Sequence, residues 1–206
     1  MAWTLGLLIY AVVQFVAFFC VLVATPIDMF FFRSTISTSF PKRCITLWGS
    51  KLSCSSTMYS VYSDILWALC PARRDRFRAA QAFALISIFV YGAAFVLGAI
   101  MLFCYRWLRW VCLTLNVVGA VTVFIVWVAM AVTYNKNDGD DCILVKTFFT
   151  YGAGFVLLLL AWLLDIANIP VLLLLCREGD SGESGKATEK KSQECEEETK
   201  EKERQD

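Results

Sequence analysis

Residues 44–54 read Cys-Ile-Thr-Leu-Trp-Gly-Ser-Lys-Leu-Ser-Cys, with nine residues between the two cysteines. Ile45, Thr46, Leu47 and Trp48 favour a strand, because β-branched and aromatic side chains suit a pleated, half-buried surface. Gly49 and Ser50 favour a turn, and Lys51 to Ser53 can form a short return strand. Facing residues of an antiparallel pair sit about 4.5–5.5 Å apart at Cα, within disulfide reach. The stretch reads as a hairpin stapled by Cys44 and Cys54. It lies in a polar loop, Pro26 to Arg78, of a chain that is otherwise mostly apolar.

Outside this loop the apolar residues gather into long runs. The chain is 58% hydrophobic with a mean hydropathy of +0.61, where a soluble domain is roughly 45–50% apolar. Four segments, residues 5–25, 79–103, 110–134 and 147–176, each reach the roughly 20 apolar residues that cross a bilayer as a helix. They lack the alternation of barrel strands, so helices are the spanning form. The fourth exceeds what a span needs, so a tilt or an extension past the membrane is expected. The first carries no charge in Met1 to Thr4 and is longer than a signal-peptide core, so it is read as retained. Residues 1–176 form the tetraspan unit, with loops at 26–78 and 135–146. Residues 177–206 form a charged tail too polar to fold alone.

Composition excludes several functions. The chain has no histidine, which removes Ser-His-Asp and Cys-His catalysis and His-containing zinc motifs. It has no GxxxxGK[ST], GxGxxG or GxSxG, so no nucleotide cofactor and no metal are expected. A net charge of +1 argues against nucleic-acid binding. No nucleophile, base and metal set is visible, so the reading is non-enzymatic.

Four spans put both termini on one side. The positive-inside rule is balanced, with nine Lys/Arg on the termini side and ten on the loop side. The cysteines break the tie. Cys44, Cys54, Cys70 and Cys142 all fall in the two loops on one side, an even set that fits an oxidising compartment. Cys44–Cys54 with Cys70–Cys142 is the favoured pairing among three connectivities, which sequence alone leaves open. Cys104, Cys112 and Cys176 sit near span ends on the termini side, where S-palmitoylation competes with a role as small apolar fillers. These groupings place the termini in the cytosol and the hairpin outside the plasma membrane.

The same eleven residues resemble the signature of the amastins, surface proteins of trypanosomatid parasites. Cys44, an aliphatic Ile45, Thr46, Leu47, Trp48, Gly49, a basic Lys51 and Cys54 fall where that signature has them; Ser53 is a mild departure. Residues 25–30 (TPIDMF) and the approach Cys70, Arg73, Arg74, Phe77 and 79–83 (AAQAF) are similar too. More distantly, the chain resembles claudin-like tetraspans in architecture, although here Gly49 follows Trp48. The resemblance implies a four-helix transmembrane bundle topped by a small, disulfide-stapled antiparallel sheet in the first extracellular loop. It implies a surface protein that contacts host membranes or host surface proteins or organises its own membrane, with no established catalytic activity. The family's glycoprotein label finds no Asn-x-Ser/Thr sequon here, because Asn116, Asn135, Asn137 and Asn168 are all followed by other residues.

Several residues hold competing readings. Trp48, Tyr59, Tyr62 and Trp67 are large aromatics in a small loop domain; Trp48 either packs over the 44–54 bridge or at the interface, or anchors a partner. Asp165, with Asn168 one turn on, lies inside the fourth span, where a carboxyl is costly and points to a proton or ion path. The structural readings are a protonated carboxyl, a bond to Asn168 or another helix, or a place near the membrane surface. This makes a channel or transporter subunit the alternative function. Asn116 and Gln14 read as interhelical hydrogen-bonding groups. Ala94 and Gly98, Gly92, Gly119 and residues 152–154 mark close helix packing within one bundle or in a homo-oligomer. Arg73, Arg74, Arg76 and Arg78 form a basic collar that meets membrane lipid, Asp75 or the acidic 138–141 loop.

Overall fold

The computed structural model describes residues 2–33, 43–101, 108–139, 142 and 144–174. Its backbone runs through α1 (Ala2–Ala24), β1 (Asp28–Phe32), β2 (Cys44–Thr46), β3 (Gly49–Lys51), β4 (Val61–Tyr62), α2 (Ser63–Leu66), α3 (Pro71–Met101), α4 (Leu108–Asn135), α5 (Val145–Phe148) and β5 (Phe149–Tyr151). A last helix, α6, covers Ala153–Leu174. α1, α3, α4 and α6 are long and apolar enough to cross a membrane. The strands sit together where α1 and α4 end and α3 and α6 begin.

The helix starts differ from the sequence expectation in two places, for physical reasons. α3 begins at Pro71, not near residue 79, because proline suits the first helical position, where a missing N–H costs nothing. The four arginines therefore ride on the first turns of a helix. At the other span, residues 145–151 form the single turn α5 and the strand β5, and the helix starts only at Ala153. The excess length of this segment is thus a strand in the sheet rather than a tilt. α1 and α4 lie within a residue or two of the expected spans. The expected ends at 102–103 and 175–176, Cys104, the connection to α4, and the 177–206 tail lie outside the described residues.

All strand pairs are antiparallel, in the order β4-β3-β2-β1-β5. β1 anchors the sheet: Phe30 faces Ile45 on β2 and Tyr151 on β5. The sheet therefore joins both loops, not the first alone. Its aromatic side chains stack down onto the helices, with Tyr151 4.1 Å from Tyr134 and 4.2 Å from Phe155, ring to ring.

The hairpin turns earlier than the sequence implies. Thr46 Oγ1 accepts hydrogen bonds from the backbone N–H groups of Trp48 and Gly49, both at 3.2 Å, and donates to Gly49 O at 3.0 Å. That hydroxyl closes the turn at Leu47 and Trp48. Gly49 is then free to enter β3, where it must be glycine, since a Cβ there would run into the Val61 carbonyl of β4. The register pairs Cys44 with Lys51 and Ile45 with Ser50, so Cys54 lies beyond the ladder.

The interior has two apolar clusters. The larger runs from the underside of the sheet (Met29, Phe30, Ile45, Leu47) down to Ala17, Tyr91, Val123 and Ala161. The smaller, at the far end, joins Leu7, Tyr10, Met101, Cys112 and Leu172. Gly92 and Gly98 seat α1 side chains, Phe18 and Tyr10, against α3.

Candidate functional site

Two regions concentrate the polar chemistry: the cap formed by the sheet and its loops, and a layer inside the bundle.

In the cap, Cys44 and Cys54 are joined by a disulfide with Cα atoms 5.3 Å apart. A second disulfide joins Cys70 and Cys142, 5.9 Å apart at Cα. The first ties β2 to the segment after β3. The second ties the start of α3 to the loop after α4, across 72 positions of sequence. The next residues of α3 reach the same loop. Arg73 Nε donates to Asp138 Oδ2 at 3.3 Å, and Arg76 Nη2 donates to Asp138 Oδ1. Arg73 and Asp138 are almost fully enclosed, with side chains 1% and 3% exposed. The two arginines share one face because they are three apart on a helix. The Arg73 guanidinium also lies 4.8 Å over the Trp67 ring, which packs on Phe77. Asp138, rather than Asp75, is what the collar pairs with; Arg78 instead bonds Asp64 at 2.8 Å. Asp140 and Asp141 lie outside the described residues.

The outer side of the cap carries an open cleft of about 520 Å³ lined by Trp48, Tyr59, Tyr62, Ser63, Asp64 and Gln81. Trp48 has a double position: half-buried, it packs on the main core and also walls the cleft. Gln81 fixes the floor, its Nε2 donating to Leu47 O at 2.9 Å and to Ser63 Oγ at 2.8 Å. The hydrogen bond from Arg78 holds the Asp64 carboxyl below its ordinary range. Lys51, the basic residue of the 44–54 stretch, turns inward, donates to Pro26 O at 3.3 Å and lies 5.0 Å over the Tyr59 ring.

The layer inside the bundle draws a side chain from every spanning helix and separates the two apolar clusters. Tyr10, Gln14, Tyr91, Asn116, Asp165 and Asn168 are all buried. Asp165 lies near the middle of α6, because that helix starts later than expected; a position at the membrane surface is thereby excluded. It does not bond Asn168. Tyr91 OH donates to Asp165 Oδ2 at 2.9 Å, while Asn168 Nδ2 donates to Gln14 Oε1 at 3.1 Å and Tyr10 OH donates to Asn116 Oδ1 at 3.3 Å. Asp165 Oδ1 and Asn116 Nδ2 have no hydrogen-bond partner. Gly119 lets Tyr91 and Asp165 approach α4: a Cβ there would stand 2.8 Å from the Tyr91 ring and 3.2 Å from Asp165 Oδ2.

Cys112 is buried beside Tyr10 in the small cluster. That placement corrects palmitoylation at this residue, since an acylated thiol must be open to the membrane; Cys104 and Cys176 lie outside the described residues. Sequence reasoning did not find Tyr10 and Tyr91. The available signal was that a tyrosine in a span carries a hydroxyl that needs a partner. Among the described residues, no group of three or more Cys, Asp or Glu is placed to hold a metal ion.

The family description "Amastin surface glycoprotein" matches residues 15–172, well over half the chain. The chain belongs to the amastin family. The match includes the cap, both disulfides and most of the four spans, so this amastin is a multi-pass membrane surface protein. Among curated proteins, none matches the chain.

Proposed function

We propose that this amastin is a non-enzymatic surface protein whose cap stands outside the cell, with the termini cytosolic, and touches a facing membrane or protein. On a parasite that face is the host's. The carrying observation is that both disulfides brace the cap, and disulfides persist in oxidising surroundings. A braced platform suits contact because it is ordered before it meets a partner. Leu52, Met58, Ile65 and Leu69 are exposed large apolar residues on or beside the cap, and such residues in a cluster mark interaction surfaces. The test replaces Leu52, Met58 and Ile65 together by serine and compares adhesion to host-membrane vesicles at equal surface level. Adhesion is expected to fall at least about tenfold, roughly 1.4 kcal/mol. Adhesion equal to that of the unmodified protein removes the contact role.

A second reading, a channel or transporter subunit, has one observation in its favour. Asp165 is a buried carboxyl in mid-span with one oxygen lacking a partner, and such groups commonly serve ion or proton paths. Asp165→Asn separates the readings. Lost solute flux at unchanged surface level favours transport; unchanged flux leaves Asp165 as a packing group.

A further inference from the structure

The cleft on the cap presents three aromatic side chains, Trp48, Tyr59 and Tyr62, beside one carboxylate, Asp64. Tyr59 and Tyr62 stand 6.2 Å apart between ring centroids and tilt by 31°, forming a corner rather than a stack. Aromatic faces around a carboxylate are the chemistry that recognises organic cations, quaternary ammonium above all. At about 520 Å³ the cleft is within the range of small-ligand sites, roughly 300–1,000 Å³.

The surrounding charges narrow the ligand. Lys51 is fixed over the Tyr59 ring and Arg78 stands at the rim on Asp64. Two positive charges against one negative disfavour a bare cation. They favour a ligand that carries a cation and an anion together. Arg78 spends only its Nε on Asp64, so its terminal nitrogens are open to a phosphate, which a guanidinium grips with two parallel bonds. The Asp64–Arg78 pair is 55% exposed on both sides. Such a surface pair contributes little to stability, so a ligand that separates the two charges loses little. The floor makes no competing demand, because both hydrogens of the Gln81 amide are already donated.

We propose that this cleft binds a phosphocholine group, with the trimethylammonium between Trp48, Tyr59 and Tyr62 beside Asp64 and the phosphate on Arg78. The group is the same whether free in solution or at the head of a lipid. The inference does not rest on a contact role, since the cleft takes the group from any source.

The test uses the full chain in nanodiscs of phosphatidylglycerol. One arm titrates free phosphocholine and follows tryptophan fluorescence and heat. The other dopes the discs with headgroup-deuterated phosphatidylcholine and follows the headgroup by deuterium NMR. Saturable binding in the first arm assigns a soluble ligand, and binding only in the second assigns a lipid headgroup; both support the site. Asp64→Asn and Tyr62→Ala are each expected to weaken binding about tenfold, the scale of a desolvated cation–π contact. Arg78→Gln is expected to weaken phosphocholine while sparing choline. Tyr62 is 64% exposed, and Asp64→Asn is isosteric, so should Tyr62→Ala lose the fold, Asp64→Asn carries the same comparison. Absence of binding in both arms, or binding unaltered by Asp64→Asn, overturns the proposal.

Discussion

The cap and the bundle layer both enclose strongly polar side chains, and they satisfy them to different degrees. In the cap, Asp138 takes hydrogen bonds from two arginines, and covalent bonds close the same corner through Cys70 and Cys142. In the bundle, Asp165 takes one hydrogen bond on one oxygen, and its second oxygen and the Asn116 amide nitrogen face no partner. A buried carboxylate with two cationic partners is a fixed element, because losing either side strands a charge. A carboxyl with one neutral partner is weakly held and can change its bonding at small cost. The cap is therefore built to keep one geometry, and the layer is the place where the molecule tolerates change.

The largest expected effect breaks the cap. Asp138→Ala leaves Arg73 enclosed without its carboxylate and is expected to cost about 3–5 kcal/mol, read by denaturant unfolding in micelles. A loss under about 1 kcal/mol would show that the pair is not a fixed element. Next comes the disulfide that joins the two loops. Cys70→Ser with Cys142→Ser is expected to cost about 2–4 kcal/mol, and Cys44→Ser with Cys54→Ser less, because the first closes 72 positions of chain and the second 10. Equal losses in a thermal melt would contradict that ordering. In the bundle, Gly119→Val drives a methyl-bearing side chain toward Tyr91 and Asp165 and is expected to cost about 1–3 kcal/mol by overpacking. By contrast, Asp165→Asn keeps an acceptor for Tyr91 OH and is expected to change stability by less than about 1 kcal/mol.

The smallest effect is at the surface. Arg78 lowers the Asp64 pKa in the folded state, so the pair adds stability above the unfolded carboxylate pKa and loses it as pH falls through the folded value. Both side chains are exposed, and Asp64→Asn is expected to flatten only a slight fall in melting temperature at acidic pH. A large change in that slope would mean the pair is a structural element.

Sequence carried the frame of this molecule and missed its joints. The spans were legible because apolar runs of that length have few other uses, and the resemblance of residues 44–54 to the amastin signature agrees with the match over residues 15–172. The start of α3 was missed by discounting Pro71, whose place at a helix start is a local signal that the arginine cluster obscured. β5 was missed because Phe149–Tyr151 reads as apolar in either a strand or a helix, and only pairing with β1 decides. The turn of the 44–54 hairpin was misplaced because Gly49–Ser50 looks like a turn, while the Thr46 hydroxyl closes one earlier. Partners in the layer could not be read at all. Asp165 and Asn168 are neighbours on one helix, yet they bond to α3 and α1, and such choices depend on how four helices rotate against one another.

The central claim is that the braced cap faces outward. The most direct measurement is labelling of intact cells with a membrane-impermeant maleimide, comparing the Thr57→Cys variant, at an exposed cap position, with the native Cys195 of the tail. The account predicts that the introduced cap thiol reacts on intact cells and that Cys195 reacts only after permeabilisation. Labelling of Cys195 on intact cells, with the cap thiol silent until permeabilisation, would contradict it.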